Sequence, residues 1–226
     1  MKRLILLFAV LFVGCQGNDL TATPQENGAE TEIWIAAGQS NISDSFLYGD
    51  DVVLKFAEGL REATGRDVIP LNVGIGGTKI NCWVPGSPCF ASRIEPLAAL
   101  NLNLKGVIWW QGESDVFENT GYDTYRDNLI RTVDGFRAAF GVWDLPFYIV
   151  EIQQLGSPDT DQAKLIRAAQ LEAIEALGNI FLIESTDVTG ERVLIDGTII
   201  EGQTHPGYVY PIIAERLVNQ ALDLSQ

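Results

Sequence analysis

From Glu32 onward, short apolar runs alternate with longer amphipathic stretches, and this alternation constrains the fold more than any other feature of the chain. Runs that short and continuously apolar suit strands buried on both faces, as in a parallel sheet. Stretches with helical periodicity between them suit the crossovers that parallel strands require. Strands are expected at Glu32–Ala37, Asp67–Val73, Gly106–Trp110, Pro146–Ile152 and Asn179–Ile183. Helices are expected at Asp51–Thr64, Ser92–Leu100, Tyr122–Phe140, Thr160–Leu177 and Tyr208–Leu222, several opened by Asp, Ser or Thr able to cap them. The pattern predicts an α/β fold of three layers, α/β/α, around a mainly parallel five-stranded sheet. With 226 residues, 46% of them hydrophobic, residues 31–226 suffice for one domain with one full core.

The residues before that domain read differently. Lys2 and Arg3 precede the apolar run Leu4–Val13, followed by Gly14 and Cys15. The run is far shorter than the roughly 20 residues of a membrane-crossing helix and reads as a signal peptide, residues 1–14. The stretch Phe12-Val13-Gly14-Cys15 resembles a bacterial lipoprotein signal, although Phe12 is unusual at its position. That resemblance implies a lipid on Cys15, an exported chain anchored in the cell envelope at the outer membrane or facing the periplasm, and no other membrane contact. An ordinary secretory leader is the alternative. Residues 15–30, polar and without periodicity, read as a flexible tether. Cys82 and Cys89 remain, close together in a Gly/Pro-rich stretch of an exported chain, where a disulfide is expected and two free thiols are the alternative.

Composition excludes some functions. Thirty acidic residues against 15 basic ones, for a formal charge of −15, make nucleic acid a poor partner. One histidine and two remaining thiols offer too few soft ligands for a closed zinc site, so no metal and no cofactor are expected.

Open parallel sheets bind ligands beyond the carboxyl ends of their strands. Three segments without periodicity follow strand ends: Gly38-Gln39-Ser40-Asn41, Gly74-Ile75-Gly76-Gly77-Thr78, and Gln111-Gly112-Glu113-Ser114-Asp115 after Trp109 and Trp110. Ser40 is placed to be a nucleophile if a base takes its proton, and the sole histidine, His205, is the one imidazole available. A turn serine and a structural histidine are the bland alternatives.

In combination, and in this order along the chain, the segments GQSN, GGT followed by Trp83, WWQGESD and THP resemble the sialate O-acetylesterase-like branch of SGNH hydrolases, related to carbohydrate esterase family six. Ile166-Arg167-Ala168-Ala169-Gln170 and Asp187 extend the likeness from about Ile33 to the C-terminus. The resemblance implies a flavodoxin-like SGNH hydrolase fold and a serine esterase acting on acetylated carbohydrate, with Ser40 as nucleophile and His205 as base. The amides of Ser40 and Gly77 and the side chain of Gln111 would face the oxyanion. SGNH enzymes often carry Asp three residues before the histidine, where this chain has Gly202. The carboxylate that orients His205 is then expected to be Glu113, with Glu201 as the alternative and a dyad without either as a third option. Trp83 is the expected substrate-stacking residue. Arg93 and Arg167 read as surface ion pairs more readily than as a carboxylate site. An arylesterase or lipid esterase on the same scaffold, or a carbohydrate-binding lipoprotein whose catalysis has decayed, are the competing functions.

Overall fold

The computed structural model describes residues 31–45, 51–153, 155, 159–188, 191–193, 199–201 and 209–224. The leader at 1–14, the tether at 15–30 with Cys15, and both Gly202 and His205 lie outside the described residues.

Five parallel strands form one sheet in the order β2-β1-β3-β4-β5: β1 (Thr31–Gly38), β2 (Asp67–Asn72), β3 (Leu104–Trp110), β4 (Phe147–Val150) and β5 (Ile180–Ile183). All five are the strands the apolar runs predicted. Between and after them come α1 (Ser40–Ser43), α2 (Val52–Thr64), α3 (Glu95–Ala98), α4 (Glu113–Phe117), α5 (Tyr122–Phe140), α6 (Asp161–Ala176) and α7 (Val209–Asp223). The Asp51 side chain accepts from the amides of Val53 and Leu54 and so caps α2, while Gly65 ends that helix in the left-handed region. Thr160 caps α6 through the Ala163 amide.

Helices cover both faces. On one side α5 and α6 pack together over Ile35, Trp109, Phe147 and Ile149. On the other, α2 and α7 pack over Trp34, Ile108, Trp110 and Val150. Trp109 and Trp110, adjacent on β3, therefore point to opposite faces, and both are fully buried.

Two local differences from expectation have physical reasons. The helix expected at Ser92–Leu100 begins earlier, as a π-helical turn over Phe90–Ile94 that runs into α3. Its start is held by the Cys82–Cys89 disulfide, with Cα atoms 5.1 Å apart, and by burial of Phe90 against Phe136. A short antiparallel pair, β6 (Glu191–Val193) with β7 (Ile199–Glu201), stands apart from the main sheet.

Candidate active site

In the order β2-β1-β3-β4-β5 the chain leaves β1 for one edge and later returns to β1's other side with β3. The loops after β1 and β3 diverge there, which opens a crevice at their carboxyl ends. Ser40 follows β1 and Glu113 follows β3, so topology alone brings the two motifs together.

The turn carrying Ser40 depends on Gly38, whose φ is +133° and whose added Cβ would lie 2.1 Å from the Trp110 carbonyl oxygen. The absent side chain lets β1 bend against β3, and the Gln39 amide then donates to that same carbonyl at 3.0 Å. Ser40 opens the single turn α1, where its N–H has no helical carbonyl to meet. The residue is 9% exposed, largely sheltered yet within reach of the surface.

Buried side chains tie the neighbouring loops to this turn. Gln39, itself 3% exposed, turns its Oε1 across to the β3 loop and accepts from the amide of Ser114 at 3.1 Å and, at longer range, of Gly112. Asn72, at the end of β2, donates to the Ile42 carbonyl at 2.8 Å. Asp115 accepts from the Ile80 amide at 2.9 Å and so fastens the loop that carries Gly77 to α4. Burial raises the Asp115 carboxyl above its usual range. From behind, the Tyr125 hydroxyl donates to the Gln111 carbonyl at 2.9 Å, and the Gln170 amide reaches the same oxygen at 3.3 Å.

Glu113 is 1% exposed. Its Oε1 accepts from Asn41 Nδ2 at 2.7 Å, and its Oε2 has no hydrogen-bond partner among the described residues. Burial is the largest influence on it and pushes the carboxyl up to about 7, against the opposing pull of its own backbone amide, the Asn41 donor and the Trp110 indole. Asn41 is fully buried, and its Oδ1 accepts from the Tyr210 hydroxyl on α7 at 3.0 Å. Gly77, with φ +69°, has nothing within 4 Å of where a Cβ would stand, so its backbone borders open space.

One expectation needs correcting. Trp83 is fully buried, its indole N–H donating to Thr78 Oγ1 at 3.0 Å and its ring edge-on to Trp109 at 5.5 Å, so it presents no face to a substrate. The amide of Gln111 is also fully buried; Nε2 donates to Asp115 Oδ2 at 2.5 Å and to the Thr78 carbonyl at 3.0 Å. Gln39 Oε1 lies 3.4 Å from the same nitrogen, so in this structure its two hydrogens are shared among groups that fasten the loops together.

Arg167 is buried and paired with Asp159, with Glu151 at 3.9 Å, and donates to the Gln153 carbonyl; it shapes the loop after β4. Arg93 is exposed. Asp187 forms a two-pronged ion pair with Arg216 of α7 at 2.7 and 2.6 Å. Glu201 closes β7. Among the described residues, no three His, Cys, Asp or Glu side chains gather closely enough to hold a metal ion. A cleft of about 310 Å³, walled by Trp34, Tyr148, Glu32, Arg66 and Lys105, lies at the opposite end of the sheet where the strands begin, remote from Ser40.

The buried residues that hold these loops together and that the sequence motifs did not single out are Gln39, Asn41, Asp115, Tyr125 and Tyr210. The first three lie inside the quoted motifs, and their polarity in otherwise apolar surroundings was the available signal. Tyr125 and Tyr210 sit within amphipathic helices, where an aromatic on the buried face reads as core.

The strand order is flavodoxin-like, and the serine turn, the glycine loop and the buried carboxylate follow β1, β2 and β3 around its switch point. Residues 44–195 match the family described as carbohydrate esterase, sialic acid-specific acetylesterase, and the chain belongs to that family. The match begins after Ser40 and stops before His205. A probable carbohydrate esterase from Arabidopsis thaliana is 32% identical over 84 residues, which are 36% of this chain and 32% of that protein. The aligned chain thus spans about a third of that relative.

Among solved structures, a carbohydrate acetylesterase from Xanthomonas citri is similar with a TM-score of 0.62 at 20% identity, over 83% of this chain and 56% of that one. A protein from Arabidopsis thaliana gives a TM-score of 0.66 at 18% identity, over 85% and 98%. A family 3 carbohydrate esterase from Clostridium thermocellum gives 0.61 at 14% identity, over 87% and 100%. At these identities the likeness establishes the fold.

Proposed function

We propose that this protein is a serine esterase that removes O-acetyl groups from carbohydrate through an acyl-enzyme on Ser40. The observation that carries the reading is the convergence of the Ser40 turn, the open Gly77 backbone and the buried Glu113 carboxylate at one switch point, in a member of a carbohydrate esterase family.

In this mechanism His205 removes the Ser40 hydroxyl proton as Oγ attacks the acetyl carbonyl. The amides of Ser40 and Gly77 meet the negative charge that forms on the carbonyl oxygen; losing one such donor typically costs about 3 kcal/mol of barrier. The protonated imidazole then gives its proton to the departing sugar oxygen. Water, deprotonated by His205, attacks the acetyl-Ser40 ester and releases acetate.

An imidazole acting in both directions must be held in one tautomer. Glu113 Oε2, buried and without a partner among the described residues, supports Glu113 as the group that receives the second imidazole N–H. Glu201 is the competing carboxylate, and Glu113→Gln losing far more kcat than Glu201→Gln is the expected result. We further propose an exported chain anchored through lipid on Cys15, a setting that the Cys82–Cys89 disulfide supports.

The test is acetate release from acetylated xylan, O-acetylated sialic acid and a small chromogenic acetate. Turnover of an acetylated sugar that disappears in Ser40→Ala and His205→Ala supports the reading. Binding of sugar without turnover by the wild type would favour a decayed esterase.

A further inference from the structure

We propose that Tyr210 and Asn41 form a buried brace that holds the nucleophile turn at a set distance from the C-terminal helix, and that both are positioning residues for hydrolysis at Ser40. The brace rests on the reading of Ser40 as the nucleophile.

Asn41 directly follows Ser40, and its one amide joins two distant parts of the chain. Its Oδ1 accepts from Tyr210 of α7 at 3.0 Å, and its Nδ2 donates to Glu113 of α4 at 2.7 Å. These partners are 169 and 72 residues away in sequence. All three side chains are buried, so none has water as a substitute if a neighbour moves. With Glu113 ionised the amide has one favoured orientation: turned over, its oxygen would face a carboxylate oxygen that has no proton to share.

Each member of the brace is held in turn. The Tyr210 ring stands edge-on to Trp110, the last residue of β3, with centroids 5.9 Å apart, which aims its hydroxyl. Tyr210 lies five residues after His205, in the first turn of α7. The groups that face Glu113 are Asn41 from α1, the Trp110 indole at the end of β3, its own backbone amide and Asp115 from its own helix, and Tyr125 from α5; its own amide, Asn41 and Trp110 favour the ionised form, and of these Asn41 is the one within 2.7 Å of a carboxyl oxygen that also reaches α7. Loss of the donor leaves Glu113 protonated to higher pH.

The consequence is kinetic. Displacing reacting groups by about 1 Å costs on the order of 100-fold in rate. Tyr210→Phe keeps the ring against Trp110 and removes only the hydroxyl. It should lower kcat on a small chromogenic acetate about 10-fold, with KM changed less than about twofold. Asn41→Ala should lower kcat about 100-fold and move the acidic limb of the kcat/KM profile to higher pH. The limb is read from the profile's shape, so a partly unfolded preparation does not disguise it. Wild-type kcat in Tyr210→Phe together with an unmoved limb in Asn41→Ala, while Ser40→Ala is inactive, overturns the brace alone. Full activity in Ser40→Ala overturns the esterase reading beneath it.

Discussion

Replacing Glu113 with glutamine separates the charge of this side chain from its shape. The carboxyl is raised from 4.5 to about 7, chiefly by burial. Each unit corresponds to about 1.4 kcal/mol, so the ionised carboxylate costs the folded state about 3 kcal/mol. Below 4.5 the folded and unfolded chains both carry the proton, and there is no cost. Between 4.5 and about 7 the unfolded chain releases its proton while the folded one keeps it, so stability falls as pH rises; above that range the full cost is present. Glutamine does not titrate, and its side-chain oxygen can still accept from Asn41 Nδ2. Urea unfolding of both proteins at about pH 4 and about pH 8 should show the variant gaining about 3 kcal/mol on the wild type between the two. Other carboxylates titrate alike in both proteins and cancel. A constant difference at both pH values would refute the assignment of a raised, buried carboxyl at this position.

Other outcomes follow from the same geometry. Gly38→Ala should destabilise the fold by more than about 3 kcal/mol in thermal or urea unfolding, because its Cβ meets the Trp110 carbonyl, which cannot move without breaking β3. Reducing the Cys82–Cys89 disulfide opens a short loop and should cost about 2 kcal/mol, measured by unfolding with and without reductant. Trp83→Phe should lower stability by about 1–3 kcal/mol and leave KM for a small acetate unchanged; a large rise in KM would show that the indole touches substrate after all.

What the chain discloses before folding, and what it conceals, divides by the range of the interactions. Buried strands such as Val107–Trp110 and capped helices such as the one opened by Asp51 write themselves as local apolar runs and caps, and they are legible. The antiparallel pair β6 and β7 was missed, although Asp196-Gly197 between its two runs is a hairpin signal. The loops that carry Ser40 and Glu113 are legible because each follows a buried apolar strand. The fastening contacts of Gln111 are not legible in the sequence because its donors go to Asp115 and to the Thr78 carbonyl, a pairing that exists only once two loops meet. Trp83 was misread for a related reason: a Gly/Pro-rich stretch suggests exposure, whereas the disulfide and the Trp109 edge draw this one into the core. The Tyr210–Asn41–Glu113 chain joins α7 to loops after β1 and β3, and no local pattern encodes it.

Covalent capture at the serine tests the mechanism at its root. Incubation with a dialkyl aryl phosphate, followed by peptide mass spectrometry, should place a single phosphoryl adduct on the peptide that contains Ser40, with esterase activity lost in proportion. Acetate release that continues undiminished, or an adduct that forms elsewhere and persists in Ser40→Ala, would contradict an acyl-enzyme at this residue.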